Sequence, residues 1–227
     1  HFKASRSIYD RLAFSLSYTF GMKKQPLLFV CFLLFTAYSL KAQLAFQFAD
    51  VDRNGASLSN IPRFSWMIPL SYEIAEISQS FGFNGGVLLK NDGVIFDENG
   101  DRFKFRVISI GPEIGFFTNL GQSKLILSGD YGFDFALHYK EKVFPNGERS
   151  DKIRRNREWF SERPNRLNHY FRIGVGTENG LFMFGQFYLR EFLNTGFQET
   201  IDGVTVQPYE GLVIQRFHLG ISFRFSK

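Results

Sequence analysis

The sequence predicts an all-β fold: a closed, antiparallel, up-and-down transmembrane β-barrel of about eight strands. Three observations predict it. Phe is the most abundant residue, 29 of 227, and aromatics reach 18%, yet mean hydropathy is slightly negative. Apolar and polar residues alternate with a period of two over long stretches, while helical periodicity is poor. Gly, Asn and Asp clusters punctuate the alternation at regular intervals. A soluble domain with this much Phe needs a large core, whereas a barrel in lipid places Phe outside on every second residue and polar groups between.

The strands follow in order. The clearest is 123–140, where Leu125, Leu127, Tyr131, Phe133, Phe135, Leu137 and Tyr139 oppose Ser128, Asp130, Asp134, Ala136, His138 and Lys140. Two carboxylates on one face suit a polar lumen better than a sandwich core. The last strand, 212–225, sets Val213, Phe217, Leu219, Ile221, Phe223 and Phe225 against Arg216, His218, Ser222 and Arg224. Strands at 167–177 and 181–192 repeat the pattern. Weaker ones lie at 43–49, 63–72, 79–90 and 103–117. The last of these changes parity, and a one-residue bulge near Val107–Ile108 is expected to restore its faces. Pro69 and Pro112 count against their strands. Short turns at 73–78, 118–122 and 177–180 alternate with longer polar connections at 50–62, 91–102, 141–166 and 194–211. That alternation matches short periplasmic turns and long external loops.

The first 42 residues read as something else. Met22-Lys23-Lys24, the apolar run Leu27–Leu40 and Ala42 before Gln43 have the layout of a signal peptide cut after Ala42. The run is shorter than the roughly 20 residues a spanning helix requires. The domains expected are therefore an extraneous upstream segment 1–21, a signal peptide 22–42 and a barrel 43–227. The formal charge of +5 resides in the leader, where six cations precede Gln43 against Asp10 alone. The rest of the chain is nearly neutral, which removes the charge argument for nucleic acid. Cys31, the single cysteine, falls in the apolar run, so the barrel has no thiol or disulfide chemistry.

Two resemblances emerge from these residues. Leu12, Phe14, Leu16, Tyr18 and Phe20 alternate with small and polar residues and resemble the closing strand of a different outer-membrane barrel, similar to that of TonB-dependent receptors. The Lys-Lys leader ending Leu40-Lys41-Ala42-Gln43, with the last strand ending Phe223-Arg224-Phe225, resembles small outer-membrane barrel proteins of Bacteroidota type. Those carry the outer membrane protein β-barrel domain also seen in PorT-like proteins. The resemblance spans 43–227 and implies a Gram-negative outer-membrane location, lipid and lipopolysaccharide as surroundings, and the insertion machinery as an assembly partner. Its usual terminal aromatic is here followed by Ser226 and Lys227.

Candidate site residues form two groups. Lys104, Arg106, Glu113, Asp130, Asp134, Arg172, Arg190 and Arg224 are expected to face the lumen. An eight-stranded barrel is just wide enough for side chains to fill it, so a salt-bridge network is expected rather than a solute path. Arg149, Arg154, Arg155, Arg157 and Trp159 mark 141–166 as an external basic loop, able to hold phosphate or an acidic glycan or simply to pair with its own acids. Asp50–Gly55 resembles the opening of a calcium loop, but Ile61 occupies the place of the bidentate Glu. No metal or cofactor is expected. His138 and His218 are expected to face the lumen, and His169 the lipid side near the external rim. No Gly-x-Ser-x-Gly motif or Ser–acid spacing accompanies them. The reading is a non-enzymatic porin-like barrel with a structural, surface-interaction or narrow-channel role. Its alternatives are a lipid A deacylase or acyltransferase and a lipocalin-like periplasmic binder with its apolar face inward.

Overall fold

The computed structural model describes residues 41–224 apart from 79, 122, 123, 149, 178 and 179; the side chains of 41, 42, 71–76, 154, 223 and 224 are not described. The upstream segment 1–21 and the leader 22–42 lie outside the described residues, except for Lys41 and Ala42, which open the first strand.

Eight strands form the wall: β1 Lys41–Arg53, β2 Arg63–Ser78, β3 Phe81–Glu98, β4 Asp101–Asn119, β5 Leu125–Phe144, β6 Leu167–Thr177, β7 Leu181–Tyr188 and β8 Leu212–Arg224. Each pairs antiparallel with its neighbour in sequence. The ring closes because β1 also pairs with β8, from Lys41 opposite Arg224 to Arg53 opposite Leu212. Closure gives the two end strands each other as hydrogen-bond partners, which an open sheet in hydrocarbon lacks. Pro69 and Pro112 both stand inside ladders, opposite Leu88 and Val87.

The strands differ in length. β3, β4 and β5 run for 18, 19 and 20 residues, while β6 and β7 have 11 and 8. Crossing a bilayer takes about 9–11 residues, so β3–β5 project well past it. The 91–102 connection is accordingly no loop. Strand pairing continues to Glu98 opposite Asp101, and the chain reverses at Asn99-Gly100, both with positive φ, as a two-residue hairpin turn requires.

The wall has two regimes, and the polarity of its faces reverses between them. Toward the end where β1 begins, apolar residues face outward: Phe46, Phe64, Ile114, Phe116, Phe135, Phe171, Ile173, Met183 and Leu219 are exposed. Gln43, Gln47, Lys90, Asp92, Asp134, Arg172, Gln186 and His218 are buried within. Beyond this belt the inner face is apolar. Val51, Val94, Phe96, Phe105, Val107, Tyr139, Leu212 and Ile214 form one core. The crossover falls between Phe48 and Asp50 on β1, Leu89 and Asn91 on β3, Ile108 and Arg106 on β4, and Phe217 and Gln215 on β8.

This reversal corrects two expectations. β4 keeps one parity throughout, because Phe105, Val107, Ser109 and Gly111 are all buried on the inner face. What changes is the environment, not the face, so Lys104 and Arg106 point out of the barrel. The bulge exists at that level but on the neighbouring strand. Ile108 opposes His138 and Ser109 opposes Ala136, which leaves Leu137 as the extra residue of β5. Leu137 therefore turns Tyr139 inward and His138 outward, where His138 packs against Trp159 at 4.8 Å between ring centroids.

Candidate functional site

The lumen holds a network of buried charge. Lys90 Nζ lies 2.7 Å from Asp134 Oδ2, with both side chains almost wholly buried. The same ammonium sits 3.6 Å from the centre of the Tyr170 ring. Arg172 meets Glu113 at 3.0 Å and donates to Gln186 Oε1 at 2.9 Å. Asp130 stands opposite Arg172 in the ladder. Tyr170 donates to Glu113 at 2.9 Å. Tyr188 contacts both Asp92 and Asp134. Arg216 and His218 each lie 3.5 Å from Asp92. Buried charges persist only when paired and hydrogen-bonded, and Lys90, Arg172 and Arg216 here face Asp92, Glu113, Asp130 and Asp134. Gly132 leaves the space that the Tyr170 ring fills: a Cβ there would come within 2.3 Å of it.

An apolar cap lies over this network. The connection after β7 folds back into the mouth and delivers Phe192 and Leu193, and Tyr209 comes from the segment before β8. Phe192 N–H donates to Ile214 C=O at 2.9 Å, and the Asn165 amide donates to Glu191 C=O at 2.8 Å and Leu193 C=O at 2.9 Å. Arg216 joins the two layers, its guanidinium 3.9 Å from the Tyr188 ring centre below and 4.4 Å from that of Phe192 above. Between them, Asp92, Ser109, Asp134, Asn168, Phe192 and Arg216 help line a cavity of about 10 Å³. That is room for one water at most.

The wall itself is plugged where β2 leaves β3. Their pairing ends at Met67 opposite Lys90. Beyond it, Ser65 donates to the Asn91 carbonyl at 2.7 Å, the Gly93 N–H donates to Gln47 Oε1 at 2.9 Å, and Arg63 reaches Asn91 Oδ1 at 3.0 Å. Side chains thus take over the backbone partners that the departing strand would have supplied.

Outside the mouth, Arg163 ties the connections together. It meets Glu199 at 2.5 Å and Glu158 at 3.0 Å, donates to Tyr209 Oη at 3.3 Å and lies over the Phe197 ring at 4.7 Å. Tyr209 in turn donates to Glu141 at 2.8 Å. Burial works against the Arg163 charge, but the bonds to Glu199, Tyr209 and Glu158 prevail and raise its pKa. Burial, then the Glu141 charge, raises that of the Tyr209 hydroxyl.

The expected lumen residues divide. Glu113, Asp130, Asp134 and Arg172 come together inside. Lys104 and Arg106 stand on the outer wall, for the reason given above. Arg190 lies past the end of β7, exposed at the rim, and donates to the Leu167 carbonyl at 3.3 Å. The Arg224 side chain lies outside the described set. Sequence reasoning did not place Lys90, Asp92 or Arg216 in the network. Asn91-Asp92-Gly93 reads as a turn and hid the continuation of β3, while Arg216 was signalled by the alternation of the last strand.

The expected basic loop is mostly a hairpin. After a turn at Pro145–Gly147, the strand Ile153–Trp159 returns along β5. Arg157 is exposed opposite Lys140, Arg154 stands opposite Lys142, and Arg155 lies 6.0 Å from the Phe103 ring centre. Trp159 is exposed over His138; Arg149 lies outside the described residues. His169 faces outward, 2.8 Å from Tyr131 Oη and stacked on Phe133. His218 is inside. Among the described residues no cluster of three potential metal ligands occurs.

No protein-family model and no curated protein matches the chain. Among the solved structures similar to it are small eight-stranded outer-membrane barrels. Neisserial surface protein A shares 12% identity over 82% of this chain and 97% of its own, with a TM-score of 0.44. The outer-membrane enzyme PagL shares 12% over 83% and 100%, with a TM-score of 0.39. Ail, the attachment invasion locus protein of Yersinia pestis, shares 12% over 82% and 99%, with a TM-score of 0.36. At such identities and scores the likeness says nothing of activity; the fold stands on the closed ladder itself.

Proposed function

We propose that this chain is a non-enzymatic outer-membrane protein of a Gram-negative envelope whose barrel is sealed and which acts through its external surface. The lumen carries the reading: a paired ionic layer lies under an apolar cap, and the cavity between them, about 10 Å³, has room for one water. Of the roles expected from the sequence, this favours the structural and surface-interaction ones over the narrow channel. The outward belt supports the location, since exposed Phe, Ile, Leu and Met in a continuous ring need hydrocarbon around them. It also argues against a lipocalin-like binder, whose apolar face would line the barrel along its whole length. Assembly of such a ring depends on the outer-membrane insertion machinery. A Bacteroidota-type source remains part of the proposal through the resemblance of the leader and last strand.

The test is conductance. Purified protein inserted into planar lipid bilayers should produce no stepwise current. Insertion is checked independently by the protection of the belt from protease and by a mobility shift on heating. Regular conductance steps from inserted protein would overturn the sealed-barrel reading. Recovery of the native protein in the soluble periplasmic fraction would overturn the location.

A further inference from the structure

Directly beyond the lipid-facing belt, one sector of the outer wall is basic. Gly93, Arg106, Lys140 and Arg157 occupy one row across adjacent strands, and Ile95, Lys104 and Lys142 the next. Neither row contains a carboxylate. Lys104 is paired directly with Lys142, Arg106 with Lys140, and Lys140 with Arg157. Like charges opposite one another repel across a sheet, so the rows concentrate positive charge on one sector. The three lysines also have partners within the protein, and the rows act through their summed charge.

The position of this sector says what it meets. Below it lies the apolar belt, with Ile108 and Ile110 on the same face of β4. Beside it, Trp159 and Phe160 are 66% and 63% exposed, as aromatic residues are at a membrane boundary. β1 differs, for it presents Asp50 and Asp52 at the corresponding level. With about 3.3 Å per residue and about 4.8 Å between strands, the two rows cover an area on the order of 7 Å by 10 Å. That is wider than a single phosphate, and the Arg side chains bring forked donors suited to phosphate oxygens.

We infer that Lys104, Arg106, Lys140, Lys142 and Arg157 form a docking site for the phosphorylated headgroup of a glycolipid in the surrounding outer leaflet, of the lipid A type. The inference rests on the outer-membrane reading. The external connections are not needed for it, because the strands themselves carry the cations at headgroup height.

The experiment uses full-length protein reconstituted in phosphatidylcholine vesicles doped with bis-phosphorylated lipid A, then extracted mildly and assayed for co-purified lipid A by native mass spectrometry. The variant K104Q/R106Q/K140Q/K142Q should retain at least about tenfold less lipid A than the parent, since each cation near an anionic headgroup adds to binding. D50N/D52N should retain as much as the parent. If the fourfold variant does not insert, R157E alone, on an exposed side chain, should still reduce retention severalfold. Retention unchanged in both basic variants overturns the inference, and so does phosphatidylglycerol retained as well as lipid A. Parent protein that inserts but holds no lipid A sinks this inference alone. Parent protein that never enters the vesicles sinks the outer-membrane reading with it.

Discussion

The lower and upper halves of this barrel use one backbone ladder with opposite polarity. In the belt, hydrocarbon is the outer solvent, so Phe116 and Ile173 point out while Lys90 and Asp134 are sealed inside. In the extension water is outside, so Arg106 and Lys140 point out while Phe96, Phe105 and Tyr139 form a core. β4 passes from one regime to the other without a change of parity. Which kind of residue each face carries is thus set by what surrounds the barrel at that height, not by the strand alone. Charge is therefore structural in one half and superficial in the other, and substitutions that swap the two contexts test it.

The largest effect is expected at Lys90. Lys90→Met removes a fully buried cation and leaves the Asp134 and Asp92 carboxylates short of their partner. Breaking a buried pair this way costs about 3–5 kcal/mol, read as a lower urea midpoint for protein folded in lipid vesicles. Adding Asp134→Leu should recover most of the loss, since replacing both partners by apolar groups is often neutral. The matching change in the extension, Arg106→Met, should stay within about 0.5 kcal/mol. Equal losses at Lys90 and Arg106 would mean that the two halves do not differ as described.

A smaller effect is expected on the outer face of β8. Leu219 lies in the belt and Val213 beyond it. Leu219→Arg should cost about 2–4 kcal/mol in a bilayer, the penalty for a cation on the lipid face. Val213→Arg should fall within about 0.5 kcal/mol, as a surface change in water does. The same vesicle unfolding assay compares them. Equal costs would move the boundary.

How far the sequence foretold all this follows the same division. The belt was legible, because alternating Phe and polar residues at 167–177 and 212–224 mean one thing in lipid. All eight wall strands were foreseen within a few residues at most ends. The extension was not legible in the same way. The rule that polar means lumen places Lys104 and Arg106 inside, and it fails once water replaces lipid outside. Asp92 was lost because Asn-Asp-Gly is a turn signal in isolation, and tertiary pairing overrode it. The cap was missed because Phe192, Leu193 and Tyr209 lie in connections with no periodicity, so only the fold brings them together.

The smallest effect sharpens the contrast between a charge pair in the lumen and one in water. Asp97 and Arg102 face each other on the outer surface of the extension, at 2.7 Å from Oδ1 to Nε, with side chains 35% and 38% exposed. The hydrogen bond from Arg102 holds the Asp97 carboxyl below its ordinary range, slight burial opposes it, and the Arg102 charge adds to the lowering. A carboxyl lowered on folding stabilises the protein above its unfolded pKa, about 3.9, and that contribution is lost as the pH falls through the lower folded value. Asp97→Asn should therefore cost only about 0.2–1 kcal/mol at neutral pH, after allowance for solvent screening. The difference from the parent should shrink in molar salt and vanish once the solution is acidic enough to protonate the folded carboxyl. A loss approaching that of Lys90→Met, or one indifferent to salt and acid, would show that water does not reach this pair and that the extension is not the solvated half of the barrel.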